Sequence, residues 1–284
     1  MTHIDNTARV AVEGGEYESG WRGPGWAYPN GKILPPMTWT SNPLDMIPDE
    51  GFVYMGSPYS LYRDGYDEAA RLASLAAAAL MFKGLTAQYL LRQTYRVAPG
   101  QTILFHAAAG GVGLVACQWA KLLGATVIGT VGSTEKAKLA RAHGCAHTIL
   151  YREEDFVQRV RAITKGALCD VVYDGVGASV FPASLDCLKR RGAFVSFGNA
   201  SGKIAAIDPM MLHDKGSRWA TKTKLYDHMP TREALLEAAA DLFDAVRQGV
   251  KPLIGQRYAL KDAAEAHRAL EARATIGSSV LVPE

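Results

Sequence analysis

The chain has 284 residues, 48% of them hydrophobic and 21% charged, with 31 basic side chains against 28 acidic ones. A net charge of +3 with both signs interspersed offers no basic tail or stripe to nucleic acid. No apolar run approaches the ~18 residues of a membrane span, and the N-terminus lacks the charged and apolar blocks of a signal peptide. The expectation is a cytoplasmic protein acting on a small molecule, long enough for one large or two ordinary domains.

Residues 1–74 are rich in glycine and proline (Pro24, Pro29, Pro35, Pro36, Pro43, Pro48, Pro58) and in tryptophan (Trp21, Trp26, Trp39), without a sustained period of 2 or 3.6. Loops are expected there, either wrapped onto the rest of the chain or with little fixed structure. A short helix is expected from Asp67 into the alanine-rich run Leu75 to Phe82.

From residue 75 onward, strands and helices alternate. Strands are expected at Thr102 to His106, Thr126 to Val131, Thr148 to Tyr151, Val171 to Tyr173 and Ala193 to Phe197, with a final strand at Ser279 to Val282. Helices are expected at Val112 to Leu123, Glu135 to Ala142, Glu154 to Ile163 and Ala178 to Arg190. Before the last strand comes a long helix, with Thr231 as N-cap, Leu235, Leu236, Ala239, Leu242, Phe243 and Val246 on one face, and Gly249 at its end; a second helix follows at Lys261 to Glu271. The alternation calls for an α/β fold, a Rossmann-type doubly wound parallel sheet covered on both faces by helices. The division into an atypical 1–74 segment and a 75–284 nucleotide-binding domain follows from the same contrast.

The turn from the first strand of this region into its helix carries the chemistry. It reads Ala108-Ala109-Gly110-Gly111-Val112-Gly113, with alanine in place of the first glycine of a dinucleotide-binding turn. Glycine at 110 lets backbone approach a pyrophosphate, Gly113 lets the helix lie close to the sheet, and the helix N-terminus offers N–H groups and partial positive charge. An ordinary strand-helix junction closed by glycine is the competing reading. An NAD site would place an acid on the ribose about 20 residues further on, yet the second strand ends in Gly132-Ser133-Thr134-Glu135-Lys136. Ser133 and Lys136 leave room and positive charge for a 2′-phosphate, which favours NADPH over NADH. Lys138 reads equally well as a solvated surface lysine. Asp174-Gly175-Val176-Gly177 follows another strand at its C-terminal end, where open α/β sheets bind ligands, so Asp174 is a further cofactor candidate.

Cys117, Cys145, Cys169 and Cys187 share no metal-ligand spacing and are expected as core or surface thiols. Cys117 is placed about a turn too far along its helix to be activated by the helix end, and is expected packed on the sheet. The histidines His106, His143, His147, His213 and His267 are scattered, each expected to be a satisfied core or surface residue, so no dedicated general acid stands out. No G-x-S-x-G or H-E-x-x-H motif is present.

Several ordered motifs carry a family resemblance. The segments 83–91 (KGLTAQYLL), 106–121, 151–155 (YREED), 196–199 (SFGN) and 273–279 (RATIGSS) resemble those of the zinc-free NADPH:quinone oxidoreductases, zeta-crystallin-like members of the medium-chain dehydrogenase/reductase superfamily. The match runs from about Ala76 to the C-terminus, roughly three quarters of the chain. The resemblance implies that the turn 108–113, including Ala108, Gly110, Gly111, Val112 and Gly113, holds the pyrophosphate, and that Ser133, Lys136 and Tyr151 surround the 2′-phosphate. It further implies that Thr86 and the Phe197-Gly198-Asn199 loop lie beside the nicotinamide, and that Arg273, Gly277 and Ser278 cover the cofactor. For Thr86 a buried hydroxyl or helix cap is the alternative, and for Gly198 and Asn199 a plain turn after a strand.

Relatives open with a GroES-like β-barrel, which residues 1–74 do not resemble beyond an echo at His3-Ile4-Asp5. The resemblance also implies a homodimer through the edge of the cofactor-domain sheet, no metal, and hydride transfer from NADPH to a quinone or other activated acceptor, with the proton drawn from solvent. A related enone or alcohol oxidoreductase, and a nucleotide-binding module without turnover, are the alternatives.

Overall fold

The computed structural model describes residues 9–12, 15–18, 60–61 and 68–282. The loops expected within 1–74, the element at His3-Ile4-Asp5 and the start of the expected helix at Asp67 lie outside the described residues. The chain forms two compact units, 1–54 and 55–284. The described part of the first is an antiparallel hairpin of β1 (Arg9–Val12) and β2 (Gly15–Glu18), whose backbone register pairs position 9 with position 18.

The second unit is built on a six-stranded, all-parallel sheet. Its elements follow β3 (Ser60–Leu61), which belongs elsewhere, and a long helix α1 (Glu68–Gln88) that continues into a π-helical turn, Tyr89–Thr94. In chain order come β4 (Thr102–Phe105), α2 (Gly111–Leu122), β5 (Thr126–Val131), α3 (Thr134–Ala142), β6 (His147–Leu150), α4 (Phe156–Ile163), β7 (Cys169–Asp174), a 3₁₀ turn (Ala183–Cys187), β8 (Leu188–Ser196), α5 (Pro209–Asp214) and β9 (Trp219–Lys222). Strand order is β6-β5-β4-β7-β8-β9. The chain winds one way from β4 and then the other, so the order reverses between β4 and β7, where open α/β sheets bind ligands.

The inner strands β4, β5 and β7 form because each is apolar on both faces, as a sheet sandwiched between helices requires. Ile103 and Phe105 of β4 join Val127, Val171, Tyr173 and Val195 in the core under α1, α2 and the later helix Arg232–Arg247. Leu104 points the other way, onto Ile128, Ile149, Val172 and Phe194 and the packing residues Val160 and Leu185. Each such side chain contributes about 1.5–3 kcal/mol by leaving water.

The remaining elements are α6 (Leu225–His228), α7 (Arg232–Arg247), β10 (Ile254–Ala259), α8 (Ala263–Glu271) and β11 (Ser278–Val282). Thr231 caps α7 by accepting the Ala234 N–H, and the left-handed Gly249 (φ +105°) follows its end, as the spacing predicts. The strands β10, β11 and β3 form a separate three-stranded parallel sheet.

Four expectations need correction. The helix Ala178 to Arg190 does not form. Gly177 sits at φ +92°, Pro182 brings no N–H, and the Ser179 N–H is taken by Ser201 Oγ. The chain makes a short 3₁₀ turn instead and enters β8 at Leu188, five residues before the expected strand. Second, the last strand does not join the main sheet but pairs with β10 and β3, and the sixth strand of the main sheet is β9. Third, the helix near the alanine run extends over 21 residues. Fourth, the buried face of α7 is Ala238, Ala239, Leu242 and Ala245, while Leu236 and Phe243 are exposed. Other boundaries move by one or two residues; α4, for example, starts after Asp155, whose carboxylate caps Val157 and Gln158.

Candidate functional site

The glycine turn lies at the C-terminal end of β4, beside the reversal of strand order. Ala107 takes a left-handed backbone (φ 55°), Gly110 N–H closes the turn onto the Ala107 carbonyl at 2.9 Å, and Leu114 N–H bonds the Gly110 carbonyl. Gly110 is the N-cap of α2, so no side chain satisfies the first N–H groups of this helix. That leaves them without a side-chain cap, with the helix dipole behind them.

Close approach explains the sequence of the turn. A Cβ on Gly113 would stand 2.5 Å from the Ala107 oxygen and 2.7 Å from the Ala108 carbonyl carbon, so α2 can sit on the turn only without one. The fully buried Ala108 occupies the first glycine position because the neighbouring strand gives way. At Gly129 of β5 a Cβ would fall 2.6 Å from the Ala108 methyl. A Cβ on Gly111 would meet Lys83 Cδ and Cε at 2.5 and 2.6 Å and the Gly277 oxygen at 3.0 Å, so the stem of Lys83 lies over the helix start. Burial lowers its ammonium to about 8.

Two distant segments meet this turn. Gly277 donates to the Ala109 carbonyl at 3.1 Å and bridges Gly110, tying the C-terminal segment to the cradle. Ser278, by contrast, is buried, and its hydroxyl donates to the Ala79 carbonyl of α1. At the end of β5, Ser133 Oγ caps α3 by accepting the Lys136 N–H, while Lys136 Nζ donates to the Arg273 carbonyl at 2.8 Å. Tyr151 Oη stands 3.0 Å, and Arg152 Nε 3.5 Å, from where a Gly132 Cβ would be. Ser133 and Lys136, Tyr151 and Arg152, and Arg273 thus come from three segments to one edge of the site. Arg152 is absent from the sequence candidates although it adjoins Tyr151.

On the other side of the strand reversal, Asp174 is fully buried and accepts from Val176 and Gly177 N–H at 2.7 and 3.0 Å. Its carboxylate therefore shapes the turn. Burial raises its pKa, and the two N–H groups and Lys222 oppose that rise. The Phe197–Asn199 loop is laced to this turn: Phe197 N–H donates to the Asp174 carbonyl, Ala200 N–H to Gly175, and Ser201 N–H to Val176. The Phe197 ring packs on Gly175 and lies 5.7 Å from Phe105. Lys222, at the end of β9, donates to Gly198 O and Asn199 Oδ1. Thr86 is buried, and its hydroxyl donates to Phe82 O one helical turn back.

His106, just beyond β4, is fully enclosed. Ser184 Oγ spends its proton on the Val180 carbonyl at 2.9 Å, so it accepts from His106 Nε2, and His106 Nδ1 accepts from Thr130 Oγ1. Burial drives the imidazole pKa down to about 3. With both nitrogens committed and the ring neutral, it cannot serve as a general acid. All four cysteines are buried free thiols, and among the described residues no three His, Cys, Asp or Glu side chains are grouped to hold a metal ion.

Residues 111–240 match the family described as zinc-binding dehydrogenase. Over 236 residues the chain is 52% identical to a quinone oxidoreductase of Salmonella typhimurium, an alignment spanning 81% of this chain and 72% of that protein. It is 47% identical over 212 residues to a 2-haloacrylate reductase of a Burkholderia species, covering 73% of this chain and 63% of the relative. The solved structure of Escherichia coli quinone oxidoreductase complexed with NADPH superposes with a TM-score of 0.71 at 52% identity, covering 73% of this chain and 65% of that one. The chain thus spans a little under two thirds of some of these relatives and about three quarters of others.

Proposed function

The chain belongs to the quinone oxidoreductase family of the medium-chain dehydrogenases/reductases, and from that premise we propose that it binds NADPH and delivers hydride to a quinone or similarly activated acceptor. The observation that supports this best is the uncapped N-terminus of α2, cradled by a turn into which Gly113 admits no side chain, at the reversal of strand order. The residues fit the cofactor. The N–H groups of Val112 and Gly113 would take the pyrophosphate, with Gly110, Gly111 and Lys83 beside them, and Ser133, Lys136, Tyr151, Arg152 and Arg273 would surround the 2′-phosphate. Gly277 would close the cradle from the C-terminal segment.

When bound, NADPH supplies the hydride at the nicotinamide C4. The chain's part is to place and orient. Phe197, Gly198 and Asn199 form the wall on the nicotinamide side, held against the Asp174 turn. Thr86 and Ser278 act through helix packing, their hydroxyls being engaged with α1 carbonyls. His106 holds no exchangeable role at working pH, so the acceptor's proton comes from solvent.

Following NADPH absorbance with and without a simple quinone, alongside a direct NADPH titration, tests the proposal. Quinone-dependent oxidation is expected. Tight binding without turnover would favour a nucleotide-binding module, and no binding would refute the reading. A second acceptor class, activated alkenes, is supported by the similarity to the haloacrylate reductase, and substituting an acrylate for the quinone in the same assay separates the two.

Lys136→Ala is expected to weaken NADPH binding about tenfold, the value of one exposed charge-assisted contact, with less than a twofold change for NADH. Equal loss for both would contradict the 2′-phosphate assignment.

We further propose a homodimer formed through β9, which is the edge of the main sheet and carries the 66%-exposed Trp219. Light scattering on a size-exclusion column should return the mass of two chains; a single-chain mass at micromolar concentration would refute it. A cytoplasmic location agrees with four unpaired thiols.

A further inference from the structure

Lys222 ends β9 in register with Ser196, the last residue of β8. From there its side chain crosses the end of the neighbouring strand and places three donors on three acceptors: Ser196 Oγ at 3.2 Å, the Gly198 carbonyl at 3.0 Å and Asn199 Oδ1 at 3.0 Å. An ammonium has three protons and no lone pair, so its capacity is filled and its polarity is fixed. Asn199 feels the consequence most. Its amide can offer either an oxygen or an NH₂ toward Lys222, and only the oxygen can receive a cation.

The NH₂ group is therefore turned away from Lys222, on a residue that is itself exposed and so open to an incoming partner. The ammonium also sits near the buried carboxylate of Asp174, whose charge supports it in place. Lys222 thus joins the two turns at the C-terminal ends of β7 and β8, although it lies on neither.

We propose that Lys222 is a positioning residue that fixes the amide of Asn199 with its NH₂ as a donor to an oxygen on the nicotinamide side, either the nicotinamide carboxamide or the acceptor's carbonyl. This deepens the reading of the chain as an NADPH enzyme and rests on it. Lysine suits the task because its charge dictates the amide orientation, whereas a neutral side chain of the same length would leave the amide free to flip.

The test compares Lys222→Met, Lys222→Arg and Asn199→Ala in the full chain, measuring dissociation constants for NADPH and for 2′,5′-ADP, which has the 2′-phosphate and adenosine but no nicotinamide. Lys222→Met should weaken NADPH, or raise KM for quinone, about tenfold, leave 2′,5′-ADP unchanged, and be rescued to within about threefold by Lys222→Arg. In the Asn199→Ala background the Lys222→Met change should have no further effect, the mark of action through one partner. Unchanged NADPH binding and KM in Lys222→Met would overturn the inference. Equal loss of NADPH and 2′,5′-ADP, or an undiminished effect in the Asn199→Ala background, would also overturn it by showing general disorder. If the wild-type chain binds 2′,5′-ADP but Lys222 has no effect, only this inference fails; if it binds neither ligand, the cofactor reading fails and this one with it.

Discussion

Replacing Gly113 with valine should weaken NADPH binding by at least about 100-fold, near 2.7 kcal/mol, and lower the stability of the free chain by about 1–3 kcal/mol. The added Cβ would lie 2.5 Å from the Ala107 oxygen and 2.7 Å from the Ala108 carbonyl. Both obstacles are backbone, in a turn already fixed by the Gly110 to Ala107 and Ala108 to Thr130 hydrogen bonds. No rotamer change relieves the contact, so α2 must lift away and carry its N–H groups with it. A smaller loss is expected for Gly113→Ala, since the clash is the same but the bulk beyond it is not. Isothermal titration with NADPH decides the matter, with urea unfolding run beside it to separate affinity from stability. Wild-type affinity in Gly113→Val would mean that the pyrophosphate binds elsewhere.

The second large effect concerns pH. His106 is buried and neutral with its pKa lowered to about 3, against 6.5 for the free side chain. In the unfolded chain it takes up a proton below pH 6.5, while in the folded chain it does so only near pH 3. Between these values the unfolded state binds more protons, so stability is fully present above 6.5 and is lost as pH falls toward 3, at up to about 1.4 kcal/mol per pH unit.

Urea unfolding at pH 7.5 and 5.0 should therefore show a fall of about 2 kcal/mol from this residue. Other groups titrate over the same range, and a His106→Gln variant corrects for them. It should cost about 1–3 kcal/mol at pH 7.5, because Thr130 and Ser184 lose matched partners, and its fall toward pH 5.0 should be about 2 kcal/mol smaller. Equal pH dependence in both proteins would show that the imidazole charges in the folded state.

The parts of the fold that were legible are those whose sequence reports burial directly. β4, β5 and β7 are apolar on both faces because helices cover both, and the turn between β4 and α2 announces itself through glycines that close approach demands. The strands β9 and β10 were missed for the complementary reason: Trp219-Ala220-Thr221-Lys222 is an exposed edge, and Ile254–Ala259 is only half-buried, so neither shows the pattern of a covered strand. Leu185 and Leu188 have helical spacing, yet one belongs to a 3₁₀ turn and the other to β8. Pro182 was the contrary signal.

Of the residues that the fold brings near the candidate site, Lys136 and Tyr151 are sequence candidates, whereas Lys83, Arg152 and Lys222 are not. A lysine reads as solvated surface until the fold shows what its stem covers and what its ammonium reaches. Thr86 and Ser278 are the reverse case, hydroxyls placed in suggestive segments but used within the helix packing.

The alanine at 108 has a meaning that a one-dimensional pattern conceals. Its methyl occupies the volume that Gly129 leaves vacant on the adjacent strand, with Cys145 Sγ closing the far side 2.7 Å from where a Gly129 Cβ would stand. The residue that makes room is thus not the one in the motif. The side-chain volume that this turn admits is a sum shared by the turn and the adjacent strand at positions 21 apart, and a chain can shift a carbon from one to the other while keeping the sum. What looks like an imperfect fingerprint along β4 and α2 is complete when counted across the hydrogen bonds to β5.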